Sequence, residues 1–388
     1  MKKCLLLLLV LCLMVGSALA DTEINGSANR GITPQSVTVN FVDEGISPTT
    51  GRQLSSLVAP MGATGLAVTG RYMPMLVQIS NPVDDKTQAA GSGNRAPWGV
   101  QYADIIYELP LHKNGETRLT ALFSDIIPEA VGPIRSARLG HAWLREEWDC
   151  GFMYFGQQEY TNTNVPAEFK DLGATTKGVL FPGTAGTAKP WKQFYEAYVS
   201  AYLGNKAVKA PNNRTGNAAE ISKLIPDDHT ATNHTFLFAD EPCTQGDEAT
   251  SINVSWGRGD FNSIFSYDAE KGLYTRSMET KNRKAKPVVW VELETQQPIT
   301  FSNVIVQWTP TEYKGLDAPV TYNVAKDGYS GAGNADIFMN GRHIAGYWKR
   351  DGMNTRTVFY DAEGKEIQFQ RGTTMIVQLP LENKCSYN

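Results

Sequence analysis

Apolar and polar positions change rhythm twice along the chain. From residue 21 to about 70 the sequence is rich in Thr, Ser, Gly and Pro, as in "GISPTTGRQLSS", and has little periodicity. That stretch predicts a flexible tether with at most a short strand at "SVTVNFV". From residue 71 the pattern tightens. "MPMLVQISN" is an apolar run of the kind a strand buried on both faces carries. "ADIIYELP" and "TRLTALFSD" alternate strongly and predict a hairpin about Asn114-Gly115, a pair that tolerates positive φ. A two-residue turn there sets Glu108 opposite Ala121. "SARLGHAWLREEW" spaces Leu139, Ala142, Trp143 and Glu146 as a helix does, with Ser136 as its N-cap. "FMYFG" reads as another buried strand. "KPWKQFYEAYVSAYLG" places Trp191, Phe194, Tyr195, Tyr198 and Tyr202 on one helical face, and "GNAAEISKLIP" predicts one helix more. Residues 71–243 therefore predict an α/β domain with a mixed, partly antiparallel sheet. After about Thr244 the period becomes two, through "SINVSW", "PVVWVELE", "NVIVQWTP" and "TMIVQLP". Residues 244–388 predict a β-rich domain.

The first twenty residues follow different rules. Lys2 and Lys3 precede "CLLLLLVLCLMVG", and Ala18-Leu19-Ala20 supplies a small-x-small cleavage site. This predicts a signal peptide, a mature chain from about Asp21 and an extracytoplasmic location. A lipid anchor needs small residues before its cysteine, whereas Val10 and Leu11 precede Cys12. No later run is long and apolar enough to span a bilayer. With Lys2 and Lys3 removed, the formal charge falls from −4 to about −6. An acidic chain argues against nucleic-acid binding, which depends on neutralising phosphates. Cys150, Cys243 and Cys385 are too few for a disulfide framework and match no zinc spacing, so buried or oxidisable thiols are expected. No cofactor or metal motif is present.

The candidate chemistry centres on "VGPIRSARLG". Arg135 lies just before a helix start and Arg138 in its expected first turn, where free N–H groups and the helix dipole attract anions. Two arginine forks suit a carboxylate or phosphate. The partner is either such an external group or an internal acid, Glu108 or Asp104. Those two acids, four residues apart on a strand, are separated by about 13 Å, too far for a glycosidase pair. Glu108 alone stands as a candidate general acid. "GTAGTAKPW" lacks a phosphate-loop ending and "GYSGA" lacks the last glycine of a nucleophile elbow. His343 reads as a surface or cross-strand residue, and Trp348, Lys349 and Arg350 as a polymer-contact patch.

Taken together, "ISPTTG", "ADIIYE", "ETRLTALF", "VGPIRSAR", "KAPNN", "GNADIFMNGRHIAGYWKR" and "TVFYDAEGKEI" resemble the YerB-like family of bacterial cell-envelope proteins, often lipoproteins, over about Ser47 to Pro380. The resemblance implies two domains outside the cytoplasm and no established reaction. It also implies histidine where this chain has Asn212, and His-x-Gly-Gly-Ser where it reads Tyr154 to Gln158. Neither Asn212 nor Tyr154 can shuttle protons near neutral pH as histidine does. The expected ligand-binding set is Arg135, Ser136, Arg138, Glu108, Arg118, Asn212 and Gln157. The expected role is an envelope-associated binding or scaffold protein whose partner is a wall polymer or envelope protein; the alternative is an envelope hydrolase using Glu108.

Overall fold

The computed structural model describes residues 21–35, 44–81, 96–232, 234–279 and 286–388. The expected signal peptide and the "SVTVNFV" strand lie outside these residues. One eleven-stranded mixed sheet runs through the centre of the molecule. Its strands in chain order are Met75–Ser80 (β1), Ile105–Pro110 (β2), Thr117–Phe123 (β3), Gly151–Tyr154 (β4), Leu180–Pro182 (β5), Asp247–Glu248 (β6), Asn303–Thr309 (β7), Ala332–Met339 (β8), Arg342–Lys349 (β9), Val358–Tyr360 (β10) and Thr374–Pro380 (β11). In space they run β6-β9-β8-β7-β11-β2-β3-β1-β4-β5, with β10 also on β9. Strand β11 lies parallel to both β7 and β2, so the two halves of the chain share one sheet.

Both faces of the sheet are covered, which is why its strands read as apolar runs. On one face Val77, Ile106, Ala121, Val306 and Val377 meet Ile252, Phe265, Tyr274 and Phe301 of a second, seven-stranded sheet. On the other, Leu76, Tyr107, Leu122 and Ile305 pack against Trp143, Leu144 and Trp148. Those three lie on the helix Leu139–Trp148 (α1), all ten residues of which are buried. Its charged residues are paired inside: Arg145 with Glu146 and Asp149, and Glu147 with Arg350 at 3.1 Å.

Several expectations are corrected. The α/β label fits the first half only loosely, because among the described residues α1 is the only α-helix longer than seven residues. The aromatic segment expected as a helix forms a 3-10 turn, Pro190–Phe194, and the short strands Tyr195–Ala197 and Val199–Ser200. Trp191 and Tyr195 donate to the carbonyls of Pro182 and Phe181 on β5, which draws the segment across the sheet end. The β2–β3 hairpin pairs Glu108 with Leu119, two residues from the expected Ala121, because its loop spans 111–116. The described parts of the expected tether are packed onto the body. Thr22–Ile24 pairs with Lys384–Tyr387, and Ser47, Thr49 and Thr50 are buried. Trp348 and Arg350 are also fully buried, so they form no polymer-contact patch. Arg350 donates to the Trp143 carbonyl at 2.7 Å instead.

Glu108 projects between the two sheets. Nη2 of Arg276, from the strand Leu273–Met278, donates to both of its carboxylate oxygens at 2.8 Å, and both side chains are fully buried. Thr117 and Asn81 also donate to Glu108, at 2.7 and 3.3 Å. Burial pulls the Arg276 guanidinium below its usual range, and the Glu108 charge opposes that pull. Glu108→Gln takes the counter-charge from a fully buried guanidinium, and should cost about 3 to 5 kcal/mol in urea unfolding; Arg276→Met should also destabilise. The double variant should lose clearly less than the sum. Additive losses would mean that the pair is not coupled.

Candidate functional site

Strands β1, β4 and β5 are mutually parallel, and their carboxyl ends meet the start of α1. Open sheets with parallel strands place ligands at such ends. The connection from β3 to α1 crosses here. Arg135 N–H donates to the Gln78 carbonyl at 2.9 Å, and Phe155 N–H donates to the Arg135 carbonyl at 3.0 Å. Ser136 Oγ donates to the Phe155 carbonyl at 3.2 Å. Gly156 lies alongside at φ +88°, and a Cβ there would stand 2.7 Å from Ser136 Oγ, so both conformation and space favour glycine.

Arg138, not Ser136, is the N-cap of α1, and its backbone N–H donates to His141 Nδ1 at 3.0 Å. That bond belongs to a neutral imidazole. Burial, then the charges of Arg138 and Arg118, hold His141 well below its usual range. The cap places Arg138 at the helix mouth.

Five of the expected residues come together. Arg118, at the start of β3, is 6% exposed and faces the α1 side beside Ser80. Its Nη1 donates to Ser80 Oγ at 3.3 Å, and Ser80 Oγ donates to Asn212 Oδ1 at 2.8 Å. Arg135 Nη1 donates to the Pro211 carbonyl at 3.1 Å, and Arg138 Nη1 to the Ala137 carbonyl at 3.0 Å. Each guanidinium is thus fixed through Nη1 by a neutral oxygen. The Nε atom of each is buried without a partner. Among the described residues none of the three forms a salt bridge. Burial, then the Arg138 and Arg135 charges, lower Arg118 well below the usual arginine range. Burial also lowers Arg135, and it brings Arg138 to about 10.

Two expected residues lie apart. Glu108 is held by Arg276 in the sandwich core, where both side chains are fully buried. The backbone of Gln157 pairs with Ala137 beside the site, but its side chain donates to Glu159 at 2.8 Å. Tyr154 packs against Phe152 and Phe169. Ser80, His141 and Arg276 were not singled out from the sequence. Arg276 was the most legible of them: it alternates with Tyr274 and Met278 on the inner face of its strand, where a cation needs an acid. Among the described residues no three His, Cys, Asp or Glu side chains could hold a metal ion. Cys150, Cys243 and Cys385 are free thiols.

The other candidate acid, Asp104, belongs to a separate buried cluster. Its Oδ2 accepts from Ser124 N–H, Ser124 Oγ and Thr49 Oγ1 at 2.7, 2.5 and 3.0 Å. Asp125 Oδ2 accepts from Thr50 Oγ1 at 2.8 Å. The "ISPTTG" segment is therefore the hydroxyl lining of two enclosed acids. Burial, then the Asp125 charge, push Asp104 up to about 8.

Set beside known proteins, the chain belongs to the family described as "Protein of unknown function (DUF3048)". Residues 63–229 match its N-terminal domain and residues 252–376 its C-terminal domain. A curated relative from Bacillus subtilis (strain 168), named "Putative lipoprotein YerB", is 25% identical over 288 residues, 73% of this chain and 76% of the relative. The crystal structure of YerB protein from Bacillus subtilis shares the fold, with a TM-score of 0.60 at 20% identity, covering 86% of this chain and 96% of that one. Among the described residues no helix is long and apolar enough to cross a membrane.

Asp104 carries a pH prediction. An unfolded Asp ionises near pH 4, whereas folded Asp104 keeps its proton to about 8. The folded state therefore binds the extra proton between about pH 4 and 8, and this group's contribution to stability falls as pH rises through that window. Urea midpoints at about pH 5 and 8 should fall more for the parent than for Asp104→Asn. An equal fall in both would show that Asp104 does not titrate in the fold.

Proposed function

We propose that this chain is an extracytoplasmic, envelope-associated binding or scaffold protein that holds an anionic group at Arg118, Arg135 and Arg138. The single observation that carries this reading is that three adjoining guanidiniums lack any carboxylate partner among the described residues. A buried cation left unpaired costs stability, and such a cost is typical of sites built for a ligand. Ser136 and Asn212 complete the setting, Asn212 orienting Ser80 beneath Arg118. The β-rich half is free to meet a wall polymer or an envelope protein. The envelope location rests on the Ala18-Leu19-Ala20 cleavage pattern and on the name of the Bacillus relative.

The site predicts opposite effects on stability and binding. Arg118→Met removes an unsatisfied buried charge, so it should raise stability by about 1 to 3 kcal/mol while abolishing stabilisation by added anion. Arg135→Ala and Arg138→Ala should leave the melt nearly unchanged and weaken the response to anion. Thermal melts with and without phosphate measure both. Large losses of stability in all three variants, with no anion response in the parent, would mean that the arginines are structural.

A further inference from the structure

The three arginines share one arrangement. Each is anchored through Nη1 by a neutral oxygen, that of Ser80, Pro211 or Ala137, each Nε is buried without a partner, and among the described residues no Nη2 of the three donates a hydrogen bond. The Nε–Nη2 edge is the one with which arginine grips two oxygens of a single oxyanion. The three guanidiniums lie near enough for the Arg135 and Arg138 charges to act on Arg118, beside the mouth of α1, where the first N–H groups have no intrahelical acceptor. Arg118 is the decisive member, because it is more than nine-tenths buried and its Nε has no partner.

The charge count selects among anions. Glu116 acts on Arg118, and Asp317 and Tyr160 act on Arg138, but none of them forms an ion pair with these arginines. Glu116 is instead paired with Arg258 at 3.1 Å. His141 is neutral and already accepts from the Arg138 backbone. A carboxylate brings one charge and two oxygens, which leaves at least one edge empty and most of the mutual repulsion in place. A phosphate monoester brings nearly two charges and three terminal oxygens.

We infer that the group bound here is a doubly charged phosphoryl group, a phosphate monoester or free phosphate, gripped by the Nε–Nη2 edges of Arg118, Arg135 and Arg138. This inference rests on the anion-site reading above and narrows it to one chemistry. The doubly charged form predominates only above the second ionisation, near pH 6 for a monoester and about one unit higher for free phosphate, so binding strengthens from about pH 5 to 7.5 while the arginines stay charged. The group arrives either free or on a lipid headgroup.

Isothermal titration of the purified chain with inorganic phosphate, glycerol phosphate, succinate and acetate tests this. Flotation with phosphatidylcholine vesicles, with and without phosphatidic acid, tests the lipid source. We expect both phosphates to bind at least about tenfold more tightly than either carboxylate near pH 7.5, and to weaken by about that factor near pH 5. Arg118→Gln, confirmed folded by its melt, should lose that preference. Flotation only with phosphatidic acid assigns the group to a lipid, and phosphate binding without flotation assigns it to a soluble ligand; both support the inference. Succinate or acetate binding as tightly as phosphate would overturn the phosphoryl assignment and leave an anion site standing. Binding of none of the four would overturn both.

Discussion

The ion pair between Glu108 and Arg276 sets the terms for the rest of the molecule. It joins the central sheet to the second sheet across a core of Ile106, Val377, Phe265 and Tyr274. Such a pair adds little net stability over an apolar one, because desolvation offsets attraction. It does punish misplacement, since any shift of the two sheets leaves a charge unpaired in an apolar layer. Its second effect lies at a distance. By taking Glu108 into the sandwich, it removes the acid best placed in sequence to neutralise Arg135 and Arg138. The basic cluster on the opposite face is left without that counter-charge.

The shared sheet explains why that cluster is rigid. Strand β11, near the end of the chain, lies between β2 and β7, so neither half completes its hydrogen-bond ladder alone. Arg350, from the second half, fixes α1 by bonding Glu147 and the Trp143 carbonyl. Gly140 lets the helix start approach closely: a Cβ there would come within 3.1 Å of Leu109 and 3.3 Å of Thr321. The helix mouth, the Ser80 end of β1 and the Arg118 end of β3 are therefore held in one geometry before any ligand arrives. Preorganisation of this kind lowers the cost of binding.

Much of this was legible in the sequence, for identifiable reasons. Strands β1 to β4 were readable because burial on both faces produces long apolar runs bounded by polar turns. The placing of Arg135 and Arg138 at a helix start was readable because "GPIRSAR" joins a loop to a helix. The cap was misassigned because His141, three residues into the helix, satisfies the Arg138 N–H, a bond that spacing alone does not announce. The aromatic segment after Pro190 fits a helical period equally well. Carbonyls at the end of β5 and pairing with Arg214–Asn217 decide it otherwise, and these are tertiary contacts. The partner of Glu108 lies 168 residues away, beyond the reach of local pattern.

The central claim is that an internal pair occupies Glu108 while three arginines on the other face await a dianion. A crystal soaked in selenate, a tetrahedral dianion with a usable anomalous signal, tests both parts in one map. The account predicts an anomalous peak among Arg118, Arg135 and Arg138, with selenate oxygens about 3 Å from their Nε and Nη2 atoms and Glu108 still bound to Arg276. Guanidiniums paired instead with a protein carboxylate such as Glu116 or Asp317, and no peak between them, would contradict it.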